Sequence, residues 1–470
     1  MIKKWTAAFL LLVLAMNFCS CGKQPEVLSP EPGNTGHTTP EPIPVVYTHS
    51  VLDAQYPQYA PMPDMDDYMH NGTLDDEAYD DAYDAWLEDL QKRTSKAGTY
   101  NAKLYGYFTA MAAELMGKTE QKNLTCSPEN IYMALAMLAE CTDGKSREQL
   151  LSLLDAKDLN ELRETASAMW NVNYSDDGML TTILGSSLWM NESVNFSKET
   201  VAALAEFYYA SSFCGSMTDT SFFEDFRKWL NDQTGGLLKD QIDALQPFSP
   251  DDIVVLATTV YFKGAWSTEF SESATEERTF HTGSDKIRVP FMTRTMFSEV
   301  IFGDGYAAIR LPFDGGAAMW IILPDNGVMP SELYADDRVT DLLLGDDMEY
   351  PDTYEVTLRL PKFDITSDMD LTLPLQELGI HDVFSAADAD FTPLTALDGI
   401  FVSSVKHAAR VKIDEKGCEA AAFTIILGEG AAMPPEYPKY EFNADRPFAF
   451  VITGLDGLPL FMGSVYDPRG

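Results

Sequence analysis

The apolar positions between residue 98 and the C-terminus change their period along the chain. Ile131, Ala134, Leu135 and Leu138 recur at helical steps behind Ser127-Pro128-Glu129-Asn130. Ser as a cap, Pro in the first turn and an acid near the positive end predict a helix start there. Gly144 predicts its end. Phe222, Phe223, Phe226, Trp229 and Leu230 form a second helical stripe, closed by Gly235-Gly236. Further on the period falls to two. Ile253 to Phe262 is almost wholly apolar, the mark of a strand covered on both faces. Tyr354, Val356, Leu358 and Leu360 alternate with Glu355, Thr357 and Arg359, and Ala409, Val411 and Ile413 with Arg410, Lys412 and Asp414. Both runs predict half-buried strands. Helices gather in the first third and strands in the rest, which predicts an α+β fold.

The stretch from Asp414 to Pro435 reads Asp-Glu-Lys-Gly-Cys-Glu-Ala-Ala-Ala-Phe-Thr-Ile-Ile-Leu-Gly-Glu-Gly-Ala-Ala-Met-Pro-Pro. From Ala420 to Leu427 it holds no charge, Gly or Pro, and its β-branched residues suit a pleated strand. Cys418, Ala420, Ala422 and Thr424 then share one face, and all are small. Such a face enters a gap between two strands with little steric cost. Gly428, Gly430 and Pro434-Pro435 break regular structure. On residue chemistry alone two readings stay open, an edge strand followed by a loop or an insertable strand leading into a bait.

The N-terminal residues differ in kind. Lys3 and Lys4 precede a short apolar run, Trp5 to Met16, as in an export signal. Phe18-Cys19-Ser20-Cys21-Gly22 resembles a bacterial lipoprotein cleavage site, with Cys21 as the lipidated residue. A signal peptide over 1–21 and a membrane anchor on Cys21 are expected, with a cleaved secretory signal as the alternative. Pro-rich and then acidic sequence over 22–96 predicts a largely disordered tether. Within it Tyr79, Tyr83, Trp86 and Leu90 recur at helical steps. The folded domain is expected over 97–470.

The chain carries 73 acidic and 33 basic residues, a net charge of −40. That surface repels nucleic acid and attracts cationic proteins. Cys126, Cys141, Cys214 and Cys418 lack the spacing of a zinc site or a disulfide framework, so no metal or cofactor is expected. No Gly-x-Ser-x-Gly elbow, His-Glu-x-x-His pair or phosphate loop occurs, so no catalytic residue is assigned and the chain does not read as an enzyme.

Several ordered motifs resemble one family. Glu415-Lys416-Gly417, Glu419-Ala420-Ala421-Ala422 and Thr424 look like the proximal hinge of the reactive-centre loop of serpins. Ser127-Pro128-Glu129-Asn130-Ile131, Thr234-Gly235-Gly236, Tyr261-Phe262-Lys263-Gly264-Ala265-Trp266, Leu360-Pro361-Lys362-Phe363 and Arg446-Pro447-Phe448 follow in that family's order. The resemblance implies helices packed on large, mostly antiparallel sheets with an exposed reactive-centre loop. It implies a hinge over Glu415, Lys416, Gly417, Cys418, Glu419, Ala420, Ala421, Ala422, Phe423 and Thr424. Cys418 stands where the family usually has Thr or Ser. Phe423 replaces a small residue but lies on the opposite strand face.

The same resemblance implies a polar cluster of Ser127, Asn130, Thr258 and His407 beneath the opening sheet, and a role for Trp266 at the sheet's upper end. Its reactive bond, counted seventeen residues from Glu415, falls at Ala431-Ala432, with Gly430-Ala431 and Met433 as alternatives. The implied activity is suicide inhibition. A serine protease would be trapped as a covalent acyl complex by a monomeric inhibitor whose freed loop enters its own sheet. Ala431 suits an elastase-like pocket. A non-inhibitory binding or scaffold serpin and an inhibitor of papain-like cysteine proteases remain as alternatives.

Overall fold

A computed structural model describes residues 47–54, 56–70, 72–236, 238–345, 352–418 and 437–470, and the backbone of 7–16. The helices that matter here are α1 (Asp76–Thr94), α2 (Pro128–Cys141), α3 (Leu159–Asn173) and α4 (Thr220–Gln233). The strands in chain order are β1 (Ala7–Met16), β2 (Ser50–Leu52), β3 (Leu180–Asn191), β4 (Ala210–Gly215) and β5 (Asp252–Ala265). They continue with β6 (Glu276–His281), β7 (Lys286–Glu299), β8 (Ile301–Gly303), β9 (Thr353–Pro361) and β10 (Phe363–Asp370). Also labelled are β11 (Ile400–Ile413), β12 (Gly417–Cys418) and β13 (Lys439–Asn443).

The largest sheet runs β10-β11-β1-β5-β3-β4-β2, with β12 also bridging β11 and β5. A second sheet runs β6-β7-β9-β13. A third joins β8 to Tyr306–Pro312, Ala318–Pro324, Phe448–Thr453, Pro459–Val465 and Leu124–Cys126. Most pairings are antiparallel, and the helices pack on the sheets, as an α+β fold requires. Helix α2 starts where its sequence predicts. The Asn130 N–H donates to Ser127 Oγ at 3.3 Å, Pro128 fills the first turn, and all fourteen residues are buried. Gly144 does not end this helix. Thr142 caps it, and Gly144, at φ +54°, opens the next one. Only a residue tolerant of positive φ fits that corner. Helix α4 lays Phe222, Phe226 and Trp229 on Trp189, Val255 and Ala257, forming a second apolar cluster on the face of the large sheet.

Two features of the N-terminal part go beyond what its sequence predicts. The run read as the centre of an export signal forms β1, parallel to both β11 and β5. An uncharged apolar ten-residue strand can complete the backbone bonding of two strands at once. The expected tether also does not extend to residue 96. From Tyr47 on, the described chain folds against the domain, because its aromatic residues find apolar surface. Strand β2 adds to the edge of β4, with the Cys214 N–H donating to His49 O at 3.0 Å. Tyr56 packs 5.1 Å from the Trp170 ring, and Arg93 lies 4.0 Å over the Tyr59 ring. In α1 the side chains of Trp86 and Arg93 are buried.

One buried group has unusual electrostatics. Glu129 and Asp456 are both buried, and the Asn173 amide donates to both at 2.8 Å. Tyr100 OH donates to Asp456 Oδ2 at 2.9 Å. Burial, and then the neighbouring Asp456, push the Glu129 carboxyl well above the usual carboxylate range. Burial also raises Asp456. Folded values above unfolded ones mean stability that is complete below the ordinary carboxylate range and is lost as pH rises through the folded values. Glu129→Gln is therefore expected to stabilise the domain by about 1–3 kcal/mol at pH 8 and to change little at pH 4, read from urea melts at the two pH values. Equal effects at both would contradict the assignment. Tyr56→Ala is expected to cost about 3 kcal/mol in the same assay through lost aromatic packing.

Candidate functional site

Strands β5 and β11 do not pair with each other along their length. One strand's width separates them, roughly twice the ~4.8 Å inter-strand spacing. Backbone pairs from Ala8↔Asp252 to Met16↔Tyr261 on one side, and from Ala7↔Ile400 to Leu14↔Ala408 on the other, seat β1 in this slot. At its head sits β12. Cys418 faces Ile413 of β11 and Gly264 of β5, and Gly417 faces Ala265. Strand β12 is antiparallel to both neighbours, so the chain has already turned back into the sheet when it reaches Cys418.

The turn that reverses it is tightly specified. The Lys416 N–H donates to Asp414 Oδ1 at 2.9 Å, and the Asp414 N–H to Gly417 O at 3.1 Å. Gly417 has φ +146°, and a Cβ there would meet Gly264 O at 2.2 Å. Only glycine fits. Glu415 is fastened on its far side: Lys362 Nζ donates to Oε2 at 2.6 Å and Thr275 Oγ1 to Oε1 at 2.8 Å. Burial alone would raise this carboxyl, but the bonds from Lys362 and Thr275 outweigh it and hold it below the usual range. The Phe270 N–H adds a bond to Glu415 O at 2.9 Å. Beside the turn lies a cavity of about 450 Å³ lined by Glu272, Thr275, Lys362 and Lys416.

Trp266 closes the head of the slot. Its indole N–H donates to Asp414 O at 3.0 Å, its backbone N–H to Lys416 O at 2.9 Å, and its ring stacks on Phe313 with centroids 4.5 Å apart. Lys362, Thr275 and Phe270 were not singled out as hinge contacts from sequence. Lys362 lies in the Leu360-Pro361-Lys362-Phe363 motif, but nothing local to it points to Glu415.

The structure also brings Ser127, Asn130, Thr258 and His407 together. The Ser127 N–H donates to His407 Nε2 at 3.0 Å, so that nitrogen is the acceptor and Nδ1 carries the proton. Thr258 Oγ1 donates to Asn130 Oδ1 at 3.1 Å. Thr258 is on β5, His407 on β11, and the other two open α2, so the cluster spans the floor of the slot. Val13 of β1 is in register with both Thr258 and His407. Asn130 and Thr258 are thus mutually matched: an amide oxygen accepts from a hydroxyl.

Hinge residues Glu419, Ala420, Ala421, Ala422, Phe423 and Thr424, the bond at Ala431-Ala432, and Cys21 lie outside the described residues. Cys126, Cys141 and Cys214 are free thiols. Among the described residues no three His, Cys, Asp or Glu side chains converge on a common point, and no helix is long and apolar enough to cross a membrane.

Known proteins match this arrangement. The family profile described as serpin (serine protease inhibitor) matches residues 107–468. An alpha-1-antiproteinase 2 of Equus caballus is 30% identical over 356 residues, covering 74% of this chain and 82% of that protein. An uncharacterized serpin-like protein of Methanosarcina acetivorans is 29% identical over 375 residues, covering 75% and 83%. The native state of the thermophilic serpin tengpin has a similar fold, with TM-score 0.68 and 22% identity over 78% of this chain and 94% of its own. Thyroxine-binding globulin in complex with thyroxine gives TM-score 0.64 at 22% identity over 78% and 99%. With a matched span running from α2 through the slot to the last strand, the chain belongs to the serpin family.

Proposed function

We propose that this serpin is a monomeric suicide inhibitor of elastase-like serine proteases. The observation that carries the reading is the position of Cys418, paired to β5 and β11 at once, as the first inserted residue of a central strand would be. Cys418 is fully buried. In an inserted strand, alternation would place Ala420, Ala422 and Thr424 on the face of Cys418, and each is small enough for it.

The chemistry then runs on the bond Ala431-Ala432. The protease serine Oγ attacks the Ala431 carbonyl, the bond to the Ala432 nitrogen breaks, and that nitrogen leaves with a proton as a new amino terminus. The protease stays esterified to Ala431. Freed at one end, the loop adds to β12 and runs down the slot, gaining two rows of backbone hydrogen bonds. About fifteen residues at ~3.3 Å each carry the ester roughly 50 Å. There the protease's oxyanion hole and triad are pulled out of register, and hydrolysis of the ester stalls.

Insertion needs an empty slot, so β1 must leave it. We propose that export achieves this. Cleavage before Cys21 would remove Ala7–Met16, and a lipid on Cys21 would hold the mature chain outside the cell membrane. The acidic surface speeds encounter with cationic proteases, and added salt should slow that step.

An elastase-type protease is expected to give an SDS-stable complex and to release a fragment beginning at Ala432, read by mass spectrometry. Cleavage without a complex would favour a substrate-like serpin instead. A chain starting at Cys21, nicked near residue 431, should melt well above its intact form, whereas the full-length chain should gain much less. Identical gains would show that β1 does not compete for the slot. Glu415→Gln should lower the melting temperature of the intact chain by a few degrees, about 1 kcal/mol. Because the Glu415 carboxyl is held low, its contribution is present above the ordinary carboxylate range and is lost as pH falls through the lowered value. Parent and variant should therefore converge in acid.

A further inference from the structure

A cavity of about 540 Å³ opens on the β6-β7-β9-β13 sheet and shares no residue with the cavity beside the hinge. Three arginines line it, Arg278, Arg288 and Arg359, in a chain where acids outnumber bases 73 to 33. Strand register puts the first and last of these on one face. Arg278 stands opposite Val289 and Arg359 opposite Thr293, so both share a side of β7 with Phe291, which lies between those positions. Asn443 pairs with Arg359 and is on that face too. Phe291 is 1% exposed and gives the cavity a buried floor. Arg288 and Thr279, paired with each other on the opposite side of the pleat, also line it. One wall is chain that has just left β13. There the Ala444 N–H donates to Arg359 O at 2.9 Å, and Asp445 O accepts from the His281 N–H at 2.7 Å.

The donors here exceed the acceptors that hold them. Arg278 Nη2 donates to Glu276 Oε2 at 3.3 Å, and Arg359 Nη1 donates to Asn443 Oδ1 at 2.7 Å and to Glu441. Both carboxylates are exposed, 67% and 59% at the side chain, so neither ion pair contributes much. The Nε atoms of Arg278 and Arg359 are buried with no hydrogen-bond partner, so neither guanidinium is saturated. Asp445 also lines the cavity, and it is paired with Arg446 at 3.4 Å. Asn443 commits its oxygen to Arg359, which leaves its NH2 group as a further donor. A guanidinium presents its donors as a planar fork that suits the oxygens of a phosphate or sulfate group. Such a group accepts from two arginines at once, which an exposed carboxylate on each does not.

We propose that this cavity is a binding site for a small organic anion bearing a phosphate or sulfate ester. The oxyanion lies between Arg278 and Arg359 and accepts from Asn443, with Phe291 beneath it and the organic part directed to solvent. Binding releases Glu276 and Glu441 into water, where their loss of pairing costs little. Asn443 ends β13, so an occupied site also braces against β9 the strand that follows residues 419–436. The site stands whether or not the chain inhibits a protease.

The test titrates the full chain with phenyl phosphate and, separately, with phenyl sulfate, in sodium chloride at fixed ionic strength, read by calorimetry. The variants are Arg278→Gln, Arg359→Gln and Arg359→Lys. Lys198→Gln is an exposed control with the same change of charge as the glutamine variants, outside this sheet. Melting curves without ligand verify folding, and if Arg359→Gln does not fold, Arg278→Gln and Arg359→Lys decide. The parent is expected to bind one equivalent of at least one ester. Each Arg→Gln variant should bind it about tenfold more weakly. Arg359→Lys keeps the charge but loses the fork, and should bind several-fold more weakly. Lys198→Gln should match the parent. A preference for phenyl phosphate assigns a phosphate ester and the reverse a sulfate ester, and either supports the site when the arginine variants weaken it. Equal binding by the parent and the arginine variants would overturn the site. Equal weakening by Lys198→Gln would also overturn it, since the effect would then be long-range charge. No binding of either ester by the parent overturns it as well.

Discussion

The rest of the molecule depends on the gap between β5 and β11. Each strand turns a row of backbone N–H and C=O groups toward it, and buried groups of that kind do not stay unpaired without cost. Strand β1 fills the gap with a parallel partner, and β12 enters it from above as an antiparallel one. The surroundings are arranged about that opening. Helix α2 supplies the floor, Trp266 the upper rim, and the bonds among Ser127, Asn130, Thr258 and His407 link both walls to the helix beneath.

Two acidic environments shape the domain in opposite senses. Glu415 has a cation and a hydroxyl on it and is held as an anion. It restrains the turn that leads into β12, so the hinge is fixed by a charge-assisted anchor. Glu129 and Asp456 share an amide and a phenol, and the groups that perturb them include no cation. That pair prefers to hold a proton. The first device loosens in acid and the second tightens, so hinge release and overall stability need not move together with pH.

Local rules made much of this legible in the sequence. The Ser127-Pro128 cap, the stripe of Phe222, Phe226 and Trp229, and the period-two runs at Tyr354 and Ala409 are each decided by neighbours within a few residues. The resemblance extended the reading to the polar cluster, whose members are far apart in the chain. What stayed hidden depends on meetings that no short pattern encodes. Asn173 brings Glu129 and Asp456 together from three separate elements. Tyr47, Tyr56 and Tyr59 look like parts of a Pro-rich linker until Phe213, Trp170 and Arg93 are placed beside them. Gly144 reads as a stop because position alone does not tell a helix end from the start of the next.

The short strand β2 has a consequence at high local concentration. A sheet this broad invites fibre growth along any bare margin, since one copy's free edge can template the next. Over Phe213 and Ser212 that margin is covered by Ser50 and Leu52 of the same chain, and the Tyr47 ring packs beside it against Phe213. Molecules crowded together on a surface would thus be kept from stacking sideways along β4 by a stretch of polypeptide outside the span matched to the family.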